Sequence, residues 1–173
     1  VGLGAIGRLV AGYLQAFGCK ILAYDPFVKK APDGVELVDL KNLCKNSDLI
    51  CVHARLTNDT YHLIGKEEIE CMKPTSILVN TSRSGLVDES SLKEALTKKR
   101  IAGAAIDVFD NEPLPKSDAF LKLDNVTITS HMAGTTKDAF TNSPKLMRDI
   151  LVKMLSGEER LPVINGVKPN IKR

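Results

Sequence analysis

The sequence predicts a doubly wound α/β domain, in which a parallel sheet is covered by helices on each side. Two observations carry this expectation. Short apolar runs alternate with helix-spaced segments along the chain, and the residues able to do chemistry fall at or just past the ends of those runs. A length of 173 residues, 43% of them hydrophobic, suffices for one core.

The elements follow in order. Ile6, Leu9, Val10, Tyr13, Leu14 and Phe17 recur at helical spacing and Gly18 follows where a helix would stop, so 6–17 is expected to be helical. The apolar run 20–24, closed by Asp25-Pro26, reads as a buried strand and a turn. Further strands are expected at 49–53, 76–80, 101–107 and 126–129, and helices at 39–46, 65–71, 89–98 and 136–155. The stretch 108–124, with Pro113 and Pro115, is the one long irregular segment, a length usually tied to function. Internal repeats are absent. Residues 1–160 are expected to form one nucleotide-binding domain, with 161–173 a tail that returns toward another lobe.

Bulk properties remove several function classes. The net charge of +3 comes from 24 basic and 21 acidic residues scattered through the chain, and the longest basic run, Lys98-Lys99-Arg100, has no aromatic interleaving. Nucleic acid is not an expected partner. The four cysteines form no CxxC pair and the three histidines lack ligand spacing, so no metal is expected. Reduced thiols of this kind point to an intracellular, cytoplasmic protein. No run approaches the roughly 20 apolar residues that cross a bilayer, so no membrane is expected.

Gly2-Leu3-Gly4-Ala5-Ile6-Gly7 fits G-x-G-x-x-G. In that motif the first glycine allows a tight turn, the second lets backbone approach a pyrophosphate, and the third packs helix on strand, with the phosphates at the helix N-terminus. Asp25 lies eighteen residues past Gly7, where a carboxylate can take a ribose hydroxyl. Together they predict a Rossmann-type dinucleotide site. A carboxylate repels a ribose 2′-phosphate, so NAD is expected over NADP, although Lys29 and Lys30 could soften the choice. A strand must precede such a loop, and Val1 is the only residue of it here.

Three segments sit on or after successive strands: Asn80-Thr81-Ser82-Arg83-Ser84-Gly85-Leu86-Val87-Asp88, then Asp107-Val108-Phe109-Asp110-Asn111-Glu112-Pro113, then Ser130-His131-Met132-Ala133-Gly134. In their order and spacing the chain resembles the D-isomer-specific 2-hydroxyacid dehydrogenases from Val1 to about Thr141. The resemblance implies Arg83, Glu112 and His131 as catalytic residues. Arg83 would hold a substrate carboxylate and polarise the neighbouring carbonyl. His131 would exchange a proton with the substrate oxygen as hydride moves, and Glu112 would orient it and raise its pKa. Cofactor contacts are implied for Gly2, Gly4, Ala5, Ile6, Gly7, Asp25, Thr81, Asp107 and Gly134. The small run Gly103-Ala104-Ala105 would let strand and cofactor approach. A small 2-oxo or 2-hydroxy acid is the implied substrate and a homodimer the implied assembly.

The chain departs from the family pattern at three places. Arg55 stands where H-x-P-L-T has Pro, Ser84 replaces the Gly after the catalytic Arg, and Ser130 stands where Pro is common. Arg55 reads as a solvated loop residue, and His53 is not assigned to catalysis. The family's substrate lobe is expected upstream, so the natural protein is expected to be longer and these 173 residues alone inactive. Two alternatives stay open: an NAD-sensing module of the corepressor type, and a doubly wound domain for another nucleotide or S-adenosylmethionine, which would leave Arg83, Glu112 and His131 without a task.

Overall fold

The computed structural model describes residues 1–157, so the tail expected at 161–173 lies outside the described residues. It divides into two compact units, Val1–His131 and a second beginning at Met132.

In the first unit the strands are β1 (Ile21–Ala23), β2 (Val35–Leu37), β3 (Leu49–Val52), β4 (Ile77–Asn80), β5 (Gly103–Ile106) and β6 (Val126–Ile128). The helices are α1 (Ala5–Ala16), α2 (Leu40–Asn46), α3 (Lys66–Cys71) and α4 (Glu89–Thr97). All strand pairs are parallel. β3, β4, β5 and β6 form one sheet in that order, and β1 pairs with β2 in another.

Local chemistry sets the helix starts. Asp39 caps α2 by accepting from the Asn42 amide at 2.8 Å, and Asp88 caps α4 by accepting from Ser91 at 3.0 Å. Glu68 reaches back to the Gly65 amide ahead of α3 at 3.1 Å. Gly18, at φ 81°, supplies the left-handed residue just after α1.

The core follows from the pleat. Ile50 and Val52 of β3, Leu78 of β4 and Ile106 of β5 are buried with Leu43, Ile69, Leu92 and Leu96 of α2, α3 and α4. Their alternates, Leu49 and Ile77, remain 43% and 42% exposed. Within this unit the sheet is therefore better covered on one face than the two-sided burial read from the apolar runs. The reason is that alternate side chains point to opposite faces, which composition alone does not reveal.

Two differences from the expected elements are instructive. β2 was not expected, because Asp33, Gly34 and Glu36 make its segment polar; it is an edge strand with exposed side chains, held by backbone pairing. The 108–124 stretch contains a 3₁₀ turn at Ala119–Lys122 that buries Phe120 edge-on to Phe109. The Lys93 ammonium lies 4.7 Å from the centre of the Phe120 ring and pairs with Glu89 at 2.6 Å and Asp118 at 2.8 Å. The long segment is thus bolted to α4.

The second unit holds α5 (Lys137–Ser156), opened by the Thr136 hydroxyl accepting from the Ala139 amide at 3.1 Å and closed by Gly157 at φ 80°. No described helix is long and apolar enough to cross a membrane.

Candidate active site and dinucleotide loop

The glycine loop is built by close backbone approach. Gly2 has φ 85°, and a Cβ there would lie 2.6 Å from the Ala54 nitrogen. A Cβ on Gly7 would lie 2.1 Å from the Gly2 oxygen, so only glycine lets the helix start against the turn. Gly4 is different. Nothing lies within 4 Å of a Cβ built there, and as the residue ahead of α1 it offers no side-chain cap. The first-turn amides of α1, at Ala5, Ile6 and Gly7, are left open to an anion, which suits a pyrophosphate.

Asp25 closes the loop from the end of β1. One carboxylate oxygen accepts from the Leu3 amide at 2.8 Å and the other from the Phe27 amide at 2.9 Å. Each oxygen keeps a second lone pair, so a ribose hydroxyl can still donate to it. Arrangement and donor set fit NAD: Gly2, Gly4 and Gly7 would hold the pyrophosphate and Asp25 the ribose.

The other expected residues stand past the carboxyl ends of β4, β5 and β6. After β4, Asn80 is buried and organises the turn: its amide donates to the Arg83 carbonyl at 2.9 Å and its side-chain oxygen accepts from Ser82 N–H at 3.1 Å. The Ser82 hydroxyl donates to the Val52 carbonyl at 2.7 Å, tying this turn to β3. Thr81 is exposed, as is Arg83, whose guanidinium donates to the Ser82 carbonyl at 2.6 Å. Among the described residues Arg83 has no carboxylate partner and is not joined to the groups after β5 and β6.

Those groups are joined to one another. His131 Nδ1 lies 2.8 Å from one Glu112 oxygen, and the other Glu112 oxygen accepts from the Phe109 amide at 3.0 Å. The bond from His131, then that from Phe109, hold the Glu112 carboxyl below its ordinary pKa. The His131 amide donates to the Asp107 carbonyl at 2.8 Å, and the Asp107 side chain, buried, accepts from the Thr129 hydroxyl. His131 itself sits at φ 56°, a left-handed conformation uncommon outside glycine. Upstream, Glu89 of α4 accepts from the Asp110 amide at 2.9 Å, so the loop that carries Glu112 is fixed at its root. Gly134 lies in the second unit, in the turn before α5, with open space about its Cβ position.

Thr129 and Glu89 are supporting residues that sequence reading passed over, while Asn80 and Ser82 stand in the expected segment after β4 without a role of their own assigned there. The signal for Asn80 was present, since Asn two residues before Ser at a strand end favours a side-chain-to-backbone turn. Thr129 and Glu89 had none, because their partners are 22 and 21 residues away. His53, at the end of β3, has both ring nitrogens buried without a hydrogen-bond partner, and burial lowers its pKa. A cavity of about 350 Å³ lies away from His131, between β1 and β3.

Comparison with known proteins gives the family and the fold. Residues 1–133 match the model of the D-isomer specific 2-hydroxyacid dehydrogenase, NAD binding domain. The chain is 43% identical over 175 residues to D-3-phosphoglycerate dehydrogenase of Methanocaldococcus jannaschii, covering 99% of this chain and 33% of that one. It is 41% identical over 161 residues to glyoxylate reductase of Korarchaeum cryptofilum, covering 91% and 48%. Among solved structures, an NAD-complexed D-isomer specific 2-hydroxyacid dehydrogenase from Lactobacillus delbrueckii ssp. bulgaricus superposes with a TM-score of 0.85 at 28% identity, covering 95% of this chain and 54% of that one. A D-lactate dehydrogenase from Aquifex aeolicus, complexed with NAD and lactic acid, gives 0.80 at 32% identity, covering 91% and 52%. The chain thus spans a third to a half of the length of these curated relatives. With a glycine loop shaped for a pyrophosphate and its carboxylate in place, this chain belongs to the D-isomer specific 2-hydroxyacid dehydrogenases, as their NAD-binding domain.

Proposed function

We propose that the chain is the coenzyme-binding part of an NAD-dependent enzyme that interconverts a D-2-hydroxy acid and its 2-oxo acid. The observation that carries this reading is the His131–Glu112 pair, set at the carboxyl edge of the sheet that also carries Arg83. Bound NAD supplies the acceptor, and in reverse the donor, of the hydride at the substrate's C2. His131 engages Glu112 through Nδ1, so Nε2 is the nitrogen left to take the hydroxyl proton in oxidation and return it in reduction. Glu112 is a positioning residue: it fixes the tautomer and stabilises the imidazolium that forms. Arg83, with its fork of donors uncommitted to a carboxylate, would bind the substrate carboxylate and draw charge toward the developing alkoxide.

The cofactor contacts from Thr81, Asp107 and Gly134 belong to the same proposal, as does the preference for NAD over NADP. A homodimer is also proposed, supported by a stripe of exposed apolar residues, Ile6, Leu9 and Tyr13 of α1 and Phe17 just past its end. Four free cysteines suit a reducing, cytoplasmic setting.

The test uses a chain of the relatives' full length containing these residues, assayed with NADH and hydroxypyruvate, glyoxylate or phenylpyruvate. Turnover to the D-hydroxy acid is expected, from a protein that sediments as two chains. Tight NAD binding with no turnover on the panel would favour the sensor reading instead. The 173 residues alone are expected to bind NADH and turn over nothing, because hydride transfer needs a closed, water-excluding cleft.

A further inference from the structure

Arg83 stands in a turn that is gripped at both ends, and the grip on its far side comes from a loop that carries none of the proposed catalytic residues. On the near side Asn80 and Ser82 tie the turn to β4 and β3. On the far side the chain passes through a 3₁₀ turn, Ser84–Leu86, to Asp88 at the cap of α4. The segment after β3 runs alongside it. The His62 amide donates to the Gly85 carbonyl at 2.7 Å, the Ile64 amide to the Leu86 carbonyl at 3.0 Å, and the Asp88 amide to the Ile64 carbonyl at 3.0 Å. Ile64 and Val87 form a parallel bridge, and Ile64, Leu86 and Val87 are buried.

Side chains complete the clasp at Gly85. A Cβ there would lie 3.2 Å from Cδ2 and Cε2 of Tyr61 and 3.3 Å from Cδ2 of Leu56, so a side chain at 85 would have to displace the Tyr61 ring. That ring is 61% exposed, and His62 backs it: the two rings stack with centroids 4.0 Å apart and planes at 19°. Consecutive side chains of an extended chain point to opposite sides. His62 breaks that alternation by standing at φ 52°, a left-handed conformation that the surroundings must enforce. Its Nδ1 faces Asp88 Oδ2 at 3.8 Å, and the other Asp88 oxygen caps α4. Asp88, His62, Tyr61 and Gly85 thus close a ring of contacts around the stretch that follows Arg83. Ser84 lies outside the left-handed region, so its backbone asks for no glycine; the glycine that this turn needs is Gly85.

We propose that Tyr61 and His62 are positioning residues for Arg83, holding the backbone after it so that its guanidinium meets the substrate carboxylate at a fixed place. The inference rests on the proposed role of Arg83. The Arg83 side chain is exposed and its guanidinium donates to the carbonyl of its own neighbour Ser82, so its aim is set by local backbone. A forked cation must match a carboxylate in direction as well as distance, and a shift of the turn by about 1 Å is enough to weaken the match.

The experiment loads the full-length chain with NADH and titrates oxamate by fluorescence. Oxamate is an unreactive 2-oxo acid analogue whose carboxylate Arg83 would hold, so affinity is read even where turnover is lost. Tyr61→Ala is expected to weaken oxamate about 5- to 10-fold while leaving the Kd for NADH within about twofold. Tyr61→Phe should bind oxamate as wild type does, because the stack and the edge contact use the ring and not the hydroxyl. Gly85→Ala, which presses on the same ring from the other side, should weaken oxamate less once Tyr61 is also replaced by Ala. In an Arg83→Ala background, Tyr61→Ala should cost nothing further. Wild-type affinity in Tyr61→Ala, with a loss in Arg83→Ala, would overturn the proposal and leave the reading of Arg83 standing. An equal cost of Tyr61→Ala in both backgrounds, or a Tyr61→Phe chain as weak as Tyr61→Ala, would overturn it as well. Unchanged affinity in Arg83→Ala would remove the reading of Arg83 and the proposal with it.

Discussion

In the glycine loop the constraints are carried by backbone: Gly2 at φ 85°, Gly7 with the Gly2 oxygen where a Cβ would go, and the Leu3 amide held by Asp25. At the His131–Glu112 pair they are carried by side chains, on residues that remain exposed to solvent. Yet the pair is not loosely held. The His131 amide is fixed to Asp107, one oxygen of Glu112 to Phe109, and the loop's root to Glu89. The contrast teaches that a site for a rigid, repeated group such as a pyrophosphate can be formed within one turn of chain. The His131–Glu112 pair, proposed to move a proton, leaves one ring nitrogen free and draws on several distant elements.

The comparison can be broken most sharply at His131. In the full-length enzyme His131→Ala is expected to lower kcat by about 10²- to 10⁴-fold while leaving the Kd for NAD within about twofold. Unchanged turnover would remove His131 from the chemistry; a matching loss of NAD affinity would show that the two regions are not separable. The complementary change is Gly7→Ala. Its methyl meets the Gly2 oxygen, backbone that cannot move aside, so NADH affinity is expected to fall by roughly 10- to 100-fold, at a stability cost of about 1–3 kcal/mol. Fluorescence titration of NADH on the isolated chain measures it, and wild-type affinity would mean that the loop tolerates a Cβ.

The smallest expected effect concerns His53, which lies against the first glycine. Its folded pKa is lowered by burial, so the unfolded chain binds the proton more readily. Its contribution to stability is complete above the unfolded value near 6.5 and is lost as pH falls through that value toward the lower folded one. Urea denaturation at pH 7.5 and 5.5 should show a smaller pH-dependent loss in His53→Gln than in wild type. An identical loss in both would place the sensitivity elsewhere.

Much of the fold was legible because its signals are local. The spacing of Ile6, Leu9, Val10, Tyr13 and Leu14 marks α1 within a residue at each end, and Gly18 marks its stop. The expected strand at 101–107 contracts to Gly103–Ile106, since apolar flanks such as Ile101 are buried without pairing in the ladder. β2 was illegible because an edge strand needs partners more than apolar side chains. In the site, the glycine loop and the Glu112-to-His131 spacing could be read from residue types and order. The bracing of Asp107 by Thr129, and of the 108–124 stretch by Lys93 and Glu89, could not, because those contacts exist only once the chain has brought α4 and β6 beside the loop.

Asp25 spends the same two oxygens on the protein that it would offer to a ribose. If Asp25 sets the coenzyme as proposed, coenzyme choice and loop order are inherited together. A lineage or an engineer that exchanged this carboxylate for a side chain tolerant of a 2′-phosphate would also release the Leu3 amide, unless the replacement kept an acceptor at that spot. The accessible route to a new coenzyme thus runs first through Asn or Ser, which drop the charge and can keep an acceptor, and only later through a cation. That ordering makes coenzyme preference slow to change in this scaffold, for a reason that lies in folding as much as in recognition.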